Sequence, residues 1–140
     1  DHTLYIAIAE AYELLHKFYY ALTVMDCVLK NRNNYELTVY SMLRLAGIYE
    51  RMRYDEQAFK LYSEAVRERR SHPECTPVGM YYAYRFLTKH YIKKDEVEHA
   101  SNLAHECLSY EETRRLGRNV LTSIVTRQVF VEQDENEPPS

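Results

Sequence analysis

A spacing of nine residues between a tyrosine and an alanine occurs three times in this chain. The pairs are Tyr12 and Ala21, Tyr49 and Ala58, and Tyr91 and Ala100. Large apolar residues stand seven positions before each tyrosine, and small or mid-sized ones stand seven positions after each alanine. Large and small residues that recur at fixed offsets are typical of an array of repeats, in which each unit packs on its neighbours. The pattern therefore favours a scaffold or adaptor over an enzyme.

Apolar residues recur at intervals of three and four along most of the chain, which indicates amphipathic helices. The sequence predicts seven helices, at about residues 2–15, 18–30, 37–51, 55–70, 80–93, 96–109 and 112–128. Only three glycines and four prolines interrupt the chain, and this scarcity disfavours a fold of many short strands. Asp55 and Asp95 precede or begin a predicted helix, and we expect each to cap its amino end.

The repeated alanines are expected where the two helices of a pair cross, because a small side chain lets two backbones approach closely. A tyrosine on the partner helix then fills the space beside each alanine. We expect packing roles of this kind for Tyr12, Ala21, Tyr49, Ala58, Tyr62, Ala65, Tyr91 and Ala100. Cys107 occupies an equivalent small position and is expected to be a buried thiol.

The middle copy of the pattern is the clearest. It reads Leu45-Ala46, Tyr49, Ala58, Tyr62 and Ala65. This arrangement resembles the tetratricopeptide repeat, a helix–turn–helix of about 34 residues. The tryptophan and the repeat-end proline of that family are missing, and Thr88 stands where the family usually has glycine or alanine.

The resemblance implies an all-α fold in which about three repeats stack into a right-handed superhelix. The repeats would cover residues 2–35, 39–72 and 81–110, and a capping helix at 112–128 would complete an array fragment over 1–131. The acidic, proline-ended tail at 132–140 is expected to be disordered. Both ends of the array carry apolar residues, and these predict surfaces that other subunits or further repeats cover. They are Leu4, Tyr5, Ile8 and Ala9 at the amino end and Val120, Ile124, Val129, Phe130 and Val131 at the carboxyl end.

A narrower resemblance covers residues 81–121. Its residues are an aromatic-rich first helix, Ala100-Ser101, Cys107, Thr113-Arg114, Gly117 and Leu121. This segment looks like the last repeat and capping helix of the cell division cycle protein 23 type of subunit in the anaphase-promoting complex. The resemblance implies a non-catalytic scaffold of a ubiquitin ligase in mitosis, which holds other subunits and dimerises through amino-terminal repeats absent here. A generic adaptor that binds a peptide or a partner helix in its groove remains the alternative.

In the repeat family, the first helix of each pair lines a concave groove. The matching positions here are Glu10, Glu13, Tyr40, Leu43, Glu50, Tyr82, Arg85, Lys89 and Lys93. Such a groove would change from acidic to basic and could orient a partner segment. The alternative is that these are solvated charges without a ligand. The carboxylate clamp of the family's chaperone adaptors is not expected, because Ile6, Glu10 and Arg44 occupy matching places.

The net charge and the cysteine content disfavour several classes of protein. The net charge of −3 is not that of a general nucleic-acid binder, and no apolar run is long enough to span a membrane. Three cysteines without a scaffold-like spacing are typical of a reducing compartment, the cytosol or nucleus. The stretch from His72 to Cys75 has zinc-like spacing but lacks a second half. No metal, cofactor or catalytic group is expected, and an enzyme is the least favoured reading.

Overall fold

A computed structural model describes residues 2–30, 35–75 and 77–126, without the side chains of residues 2 and 3. The described residues form an all-α fold, which confirms the predicted fold class and the seven helices. The helices are α1 His2–Leu14, α2 Phe18–Lys30, α3 Tyr35–Arg51, α4 Asp55–Ser71, α5 Met80–Lys93, α6 Val97–Cys107 and α7 Arg114–Thr126. A 3-10 turn, Glu111–Thr113, precedes α7. The predicted acidic tail and residues 129–131 lie outside the described residues.

The chain divides into two compact units. The first unit, Asp1–Gly79, holds α1 to α4, and each of these helices packs against the next along the chain. The second unit, Met80–Ser140, holds the other three helices: α5 packs against α6, and α6 packs against α7. The 3-10 turn contacts both α5 and α7. Helices that follow each other after short turns thus form hairpins in both units.

The three turns inside the hairpins have the same backbone geometry. Each has one non-glycine residue in the left-handed region, with φ of 58° at His16, 66° at Arg53 and 59° at Asp95. The next residue donates its N–H to the carbonyl of the repeated tyrosine, at 2.8 Å for Lys17 to Tyr12, 2.9 Å for Tyr54 to Tyr49 and 2.8 Å for Glu96 to Tyr91. In a second hydrogen bond, the left-handed residue donates its N–H to the carbonyl three positions earlier. The two bonds together form the Schellman motif, a common way for a helix to end.

The same turn explains why each alanine stands nine positions after its tyrosine. The tyrosine carbonyl accepts from the N–H of the fifth residue after the tyrosine, which closes the Schellman turn. That fifth residue then accepts from the alanine four positions later, at 3.2 Å for Lys17 and Ala21, 3.1 Å for Tyr54 and Ala58, and 3.1 Å for Glu96 and Ala100. One residue therefore ends the first helix and begins the second, which fixes the alanine at the first turn of the second helix.

The predicted amino-terminal caps are wrong. Tyr54 and Glu96 occupy the cap positions of α4 and α6, and neither makes a side-chain cap hydrogen bond. Asp55 is already the first helical residue, and Asp95 is the left-handed residue of its turn. Aspartate tolerates the left-handed region better than most residues do, and this backbone requirement determines its place there.

The small residues of the pattern lie in the core, as predicted. The repeated alanines at 21, 58 and 100 have no exposed surface, and neither do Ala65 and Cys107. Tyr62 is also buried, whereas the repeated tyrosines, Tyr12, Tyr49 and Tyr91, are half-buried. Alanine at a helix crossing and a partly covered tyrosine on the neighbouring helix agree with the packing expected from the spacing.

The left-handed residues predict a stabilising substitution. Arg53 is exposed and has a φ of 66°, so its Cβ crowds the backbone. We expect Arg53→Gly to raise the free energy of unfolding by about 0.5–1 kcal/mol, because relief of this strain exceeds the entropy cost of glycine. A urea titration measures the change.

The matched control is Lys60→Gly, which places glycine at an exposed position inside α4. It should lower the free energy of unfolding by about 1 kcal/mol. Changes of the same sign in both variants would contradict the turn geometry described above.

Candidate protein-binding site

Two arginines of α3 meet two glutamates of α1 in the first unit. Glu13, whose side chain is 10% exposed, accepts from Nη2 of Arg44 at 3.1 Å through Oε1 and from Nη2 of Arg51 through Oε2. Glu10 lies further out, with its Oε1 4.0 Å from Arg44 Nη2. The acidic end of the groove that the sequence predicts is thus neutralised within the unit, because each arginine pairs with Glu13.

These charged residues surround a cavity of about 420 Å³. Its lining consists of Glu10, Glu13, Leu14, His16, Arg44 and Arg51. We call this cavity the α1–α3 pocket. Arg44 and Arg51 are seven residues apart and so lie on one face of α3, a periodicity visible in the sequence. Their meeting with Glu13 was not predicted, because it joins residues 31 and 38 positions apart.

The other predicted groove residues of the first unit are partly or fully covered by neighbouring side chains. Leu43 is buried, so it offers little to a ligand, and Tyr40 is half-buried. Glu50 accepts a hydrogen bond from the hydroxyl of Tyr62 at 2.9 Å. This contact satisfies the polar end of a tyrosine that is otherwise in the core.

In the second unit, the predicted groove residues share helix α5. Tyr82 is 50% exposed and Lys93 is exposed, whereas Arg85 and Lys89 are half-buried. A buried tyrosine of the same helix, Tyr84, donates to Oε2 of Glu106 at 2.6 Å. Both units therefore hold a core tyrosine whose hydroxyl bonds a glutamate on the other helix of its hairpin.

Exposed aromatic and aliphatic side chains lie near the turn of the first hairpin. Leu14, Leu15, Tyr19 and Tyr20 are all mostly exposed. The hydroxyls of Tyr19 and Tyr54 are 2.7 Å apart, and this hydrogen bond raises the pKa of Tyr54 above its ordinary value.

Of the apolar residues predicted to be exposed at the carboxyl end, the described part of the chain contains Val120 and Ile124. Val120 is buried, because it faces the interior of the second unit, and Ile124 is half-buried. Val125 is 81% exposed. The expectation for Val120 is therefore wrong, and Val125 is the exposed apolar residue of this helix.

The segment around His72 and Cys75 packs against the start of α3. The rings of Tyr35 and His72 have centroids 4.1 Å apart, and the Tyr35 hydroxyl donates to the carbonyl of Glu68 at 3.2 Å. Burial, assisted by the nearby Glu74 carboxylate, raises the pKa of the Cys75 thiol. Burial is also the main cause that raises the pKa of Tyr35. A raised thiol pKa disfavours the reactive thiolate.

Within the described ranges, no group of three or more histidine, cysteine, aspartate or glutamate side chains is arranged to hold a metal ion. The three cysteines differ in exposure: Cys27 is exposed, Cys75 is partly exposed and Cys107 is buried. The buried thiol of Cys107 agrees with the role expected from its position in the pattern.

No protein-family model matches the sequence, and no curated protein is significantly similar to it. Of the helices in the described residues, none has the length and hydrophobicity needed to cross a membrane.

Proposed function

We propose that this protein is a non-catalytic helical-repeat scaffold that mediates contacts between protein subunits. One observation carries the proposal: three hairpins share the same Schellman turn, with a tyrosine carbonyl before it and a buried alanine after it. Repeated hairpins that pack through small residues form extended surfaces for other proteins. The finer architecture that we propose is a tetratricopeptide-type array in a right-handed superhelix, closed by α7.

The partner class that we propose is a multisubunit ubiquitin ligase, the anaphase-promoting complex. Support comes from the resemblance of residues 81–121 to the last repeat and capping helix of its cell division cycle protein 23 type of subunit. On this proposal the protein acts in the nucleus, the cytoplasm or both in dividing cells, and contributes binding surfaces rather than chemistry. A generic adaptor for a peptide or a partner helix is the second candidate, which the α1–α3 pocket favours.

Affinity purification of the tagged protein from dividing cells, followed by mass spectrometry, tests this proposal. We expect subunits of the ubiquitin ligase to co-purify in comparable amounts. A set of chaperones or transport factors without ligase subunits would contradict the ligase assignment and favour the generic adaptor.

Charge reversal on α5 tests whether the predicted groove takes part. We expect an Arg85→Glu, Lys89→Glu, Lys93→Glu variant to lose at least one co-purifying protein. The matched control reverses three exposed residues elsewhere: Lys60→Glu, Arg67→Glu and Lys94→Glu. Both variants change the net charge equally, so identical co-purification by both would remove the α5 surface from the proposed interface.

A further inference from the structure

In the α1–α3 pocket, the glutamate uses both of its oxygens, whereas each arginine uses only some of its N–H groups. Both carboxylate oxygens of Glu13 are taken, one by each arginine. Each arginine, however, uses a single nitrogen, Nη2, for its contacts to Glu10 and Glu13. A guanidinium carries five N–H donors on three nitrogens, and these two side chains make no further hydrogen bond or ion pair with the described residues.

Both arginine side chains are partly open to solvent. The side chain of Arg44 is 30% exposed and that of Arg51 is 51% exposed. Both line the cavity of about 420 Å³. Glu13 is 10% exposed, and each of its oxygens already accepts from an arginine, so its carboxylate is poorly placed to bind an incoming cation. The pocket therefore has spare donors from two arginines and one exposed carboxylate, that of Glu10.

Guanidinium groups bind carboxylates and phosphates through paired, charge-assisted hydrogen bonds. We propose that the α1–α3 pocket receives an acidic side chain of a partner protein, held by the N–H groups of Arg44 and Arg51 that do not bind Glu10 or Glu13. Leu14, which is 82% exposed at the rim, gives the aliphatic part of such a partner an apolar contact. The inference rests on the proposed scaffold function, and it names the chemistry that one surface of that scaffold recognises.

Substitution of Glu10 tests this proposal, because it should change the affinity for an acidic ligand and for a basic ligand in opposite directions. Its carboxylate is 46% exposed and faces Arg44 from 4.0 Å, so it repels an acidic ligand and attracts a basic one. Substitution of Glu10 should therefore strengthen the binding of an acidic ligand, while substitution of Arg51 should weaken it. A basic ligand would respond in the reverse order.

The experiment is an NMR titration of the full chain, observed through the arginine Nε–H signals. The probes are an acetylated, amidated glutamate tetrapeptide, a lysine tetrapeptide with the same ends, and inorganic phosphate. We expect the glutamate peptide, and not the lysine peptide, to shift the signals of Arg44 and Arg51. Arg51→Gln should weaken the binding of the glutamate peptide about fivefold, and Glu10→Gln should strengthen it about threefold.

The control variant is Arg67→Gln, which removes an exposed arginine of α4 and should leave the affinity unchanged. A thermal melt of each variant confirms that it is folded before its titration is compared. Preferential binding of the lysine peptide, or weaker binding after Glu10→Gln, would overturn the proposal. Shifts with phosphate but not with the glutamate peptide would overturn it too, since they would identify a site for a free anion.

The titration and the co-purification together distinguish an error in the pocket proposal from an error in the proposed function. If the glutamate peptide does not bind while ligase subunits still co-purify with the protein, the pocket proposal is wrong and the proposed function stands. If the peptide binds as expected but no ligase subunit co-purifies, the acidic-ligand site stands and the ligase assignment fails.

Discussion

Ala58→Arg should lower the free energy of unfolding by at least about 3 kcal/mol, because it forces a long charged side chain into a closed helix crossing. Ala58 has no exposed surface and lies in the first turn of α4, where that helix packs against α3. For a chain of this size the melting temperature should fall by about 10 °C. Circular dichroism during thermal unfolding measures the change.

The matched control is Gln57→Arg, which adds the same side chain one residue earlier. Gln57 is exposed, so its substitution should change the free energy of unfolding by less than about 0.5 kcal/mol. Equal melting temperatures for the two variants would show that position 58 is not at a helix crossing. That result would contradict the register of the tyrosine–alanine pattern.

Gly117→Ala should lower the free energy of unfolding by about 3 kcal/mol, because a methyl group cannot fit between α6 and α7. A Cβ at this position would lie 2.6 Å from the carbonyl oxygen of Ala104 and 3.0 Å from Cβ of Cys107. The oxygen belongs to the backbone of α6 and cannot rotate away, so the two helices must separate. Denaturant unfolding reports the loss.

Gly47→Ala is the control for the intrinsic effect of replacing glycine in a helix. A Cβ at Gly47 would have the Tyr62 hydroxyl oxygen as its nearest neighbour, at 3.7 Å, which is an ordinary contact. This substitution should raise the free energy of unfolding by up to about 1 kcal/mol through helix propensity. Stabilisation by both substitutions would contradict the close approach of α6 and α7.

The turns illustrate how far local patterns predict this fold. Helix ends that lie inside the described ranges agree with the sequence-based ones to within about two residues, because apolar periodicity is a local signal. The role of Asp95 was not predicted correctly. Its residue type suits both a helix cap and a left-handed turn, and the backbone of the completed hairpin selects the second.

The α1–α3 pocket illustrates the opposite case. The family resemblance predicts that Glu10 and Glu13 face a groove, and spacing places Arg44 and Arg51 on one face of α3. Only the packing of the first four helices brings the arginines onto Glu13 and leaves their remaining nitrogens open. No local pattern contains that information, because it depends on the offset between two helices that are distant along the chain.

Local sequence patterns predict the helices, the positions of their turns and the small residues at their crossings. These features depend on residues at most nine positions apart, a range over which helical periodicity and turn geometry act directly. The packing of the helices determines which charges are neutralised, which side chains line the pocket and why Gly117 admits no side chain. Those outcomes depend on distances between helices, and these are set by the packing of whole side chains rather than by their order in the chain.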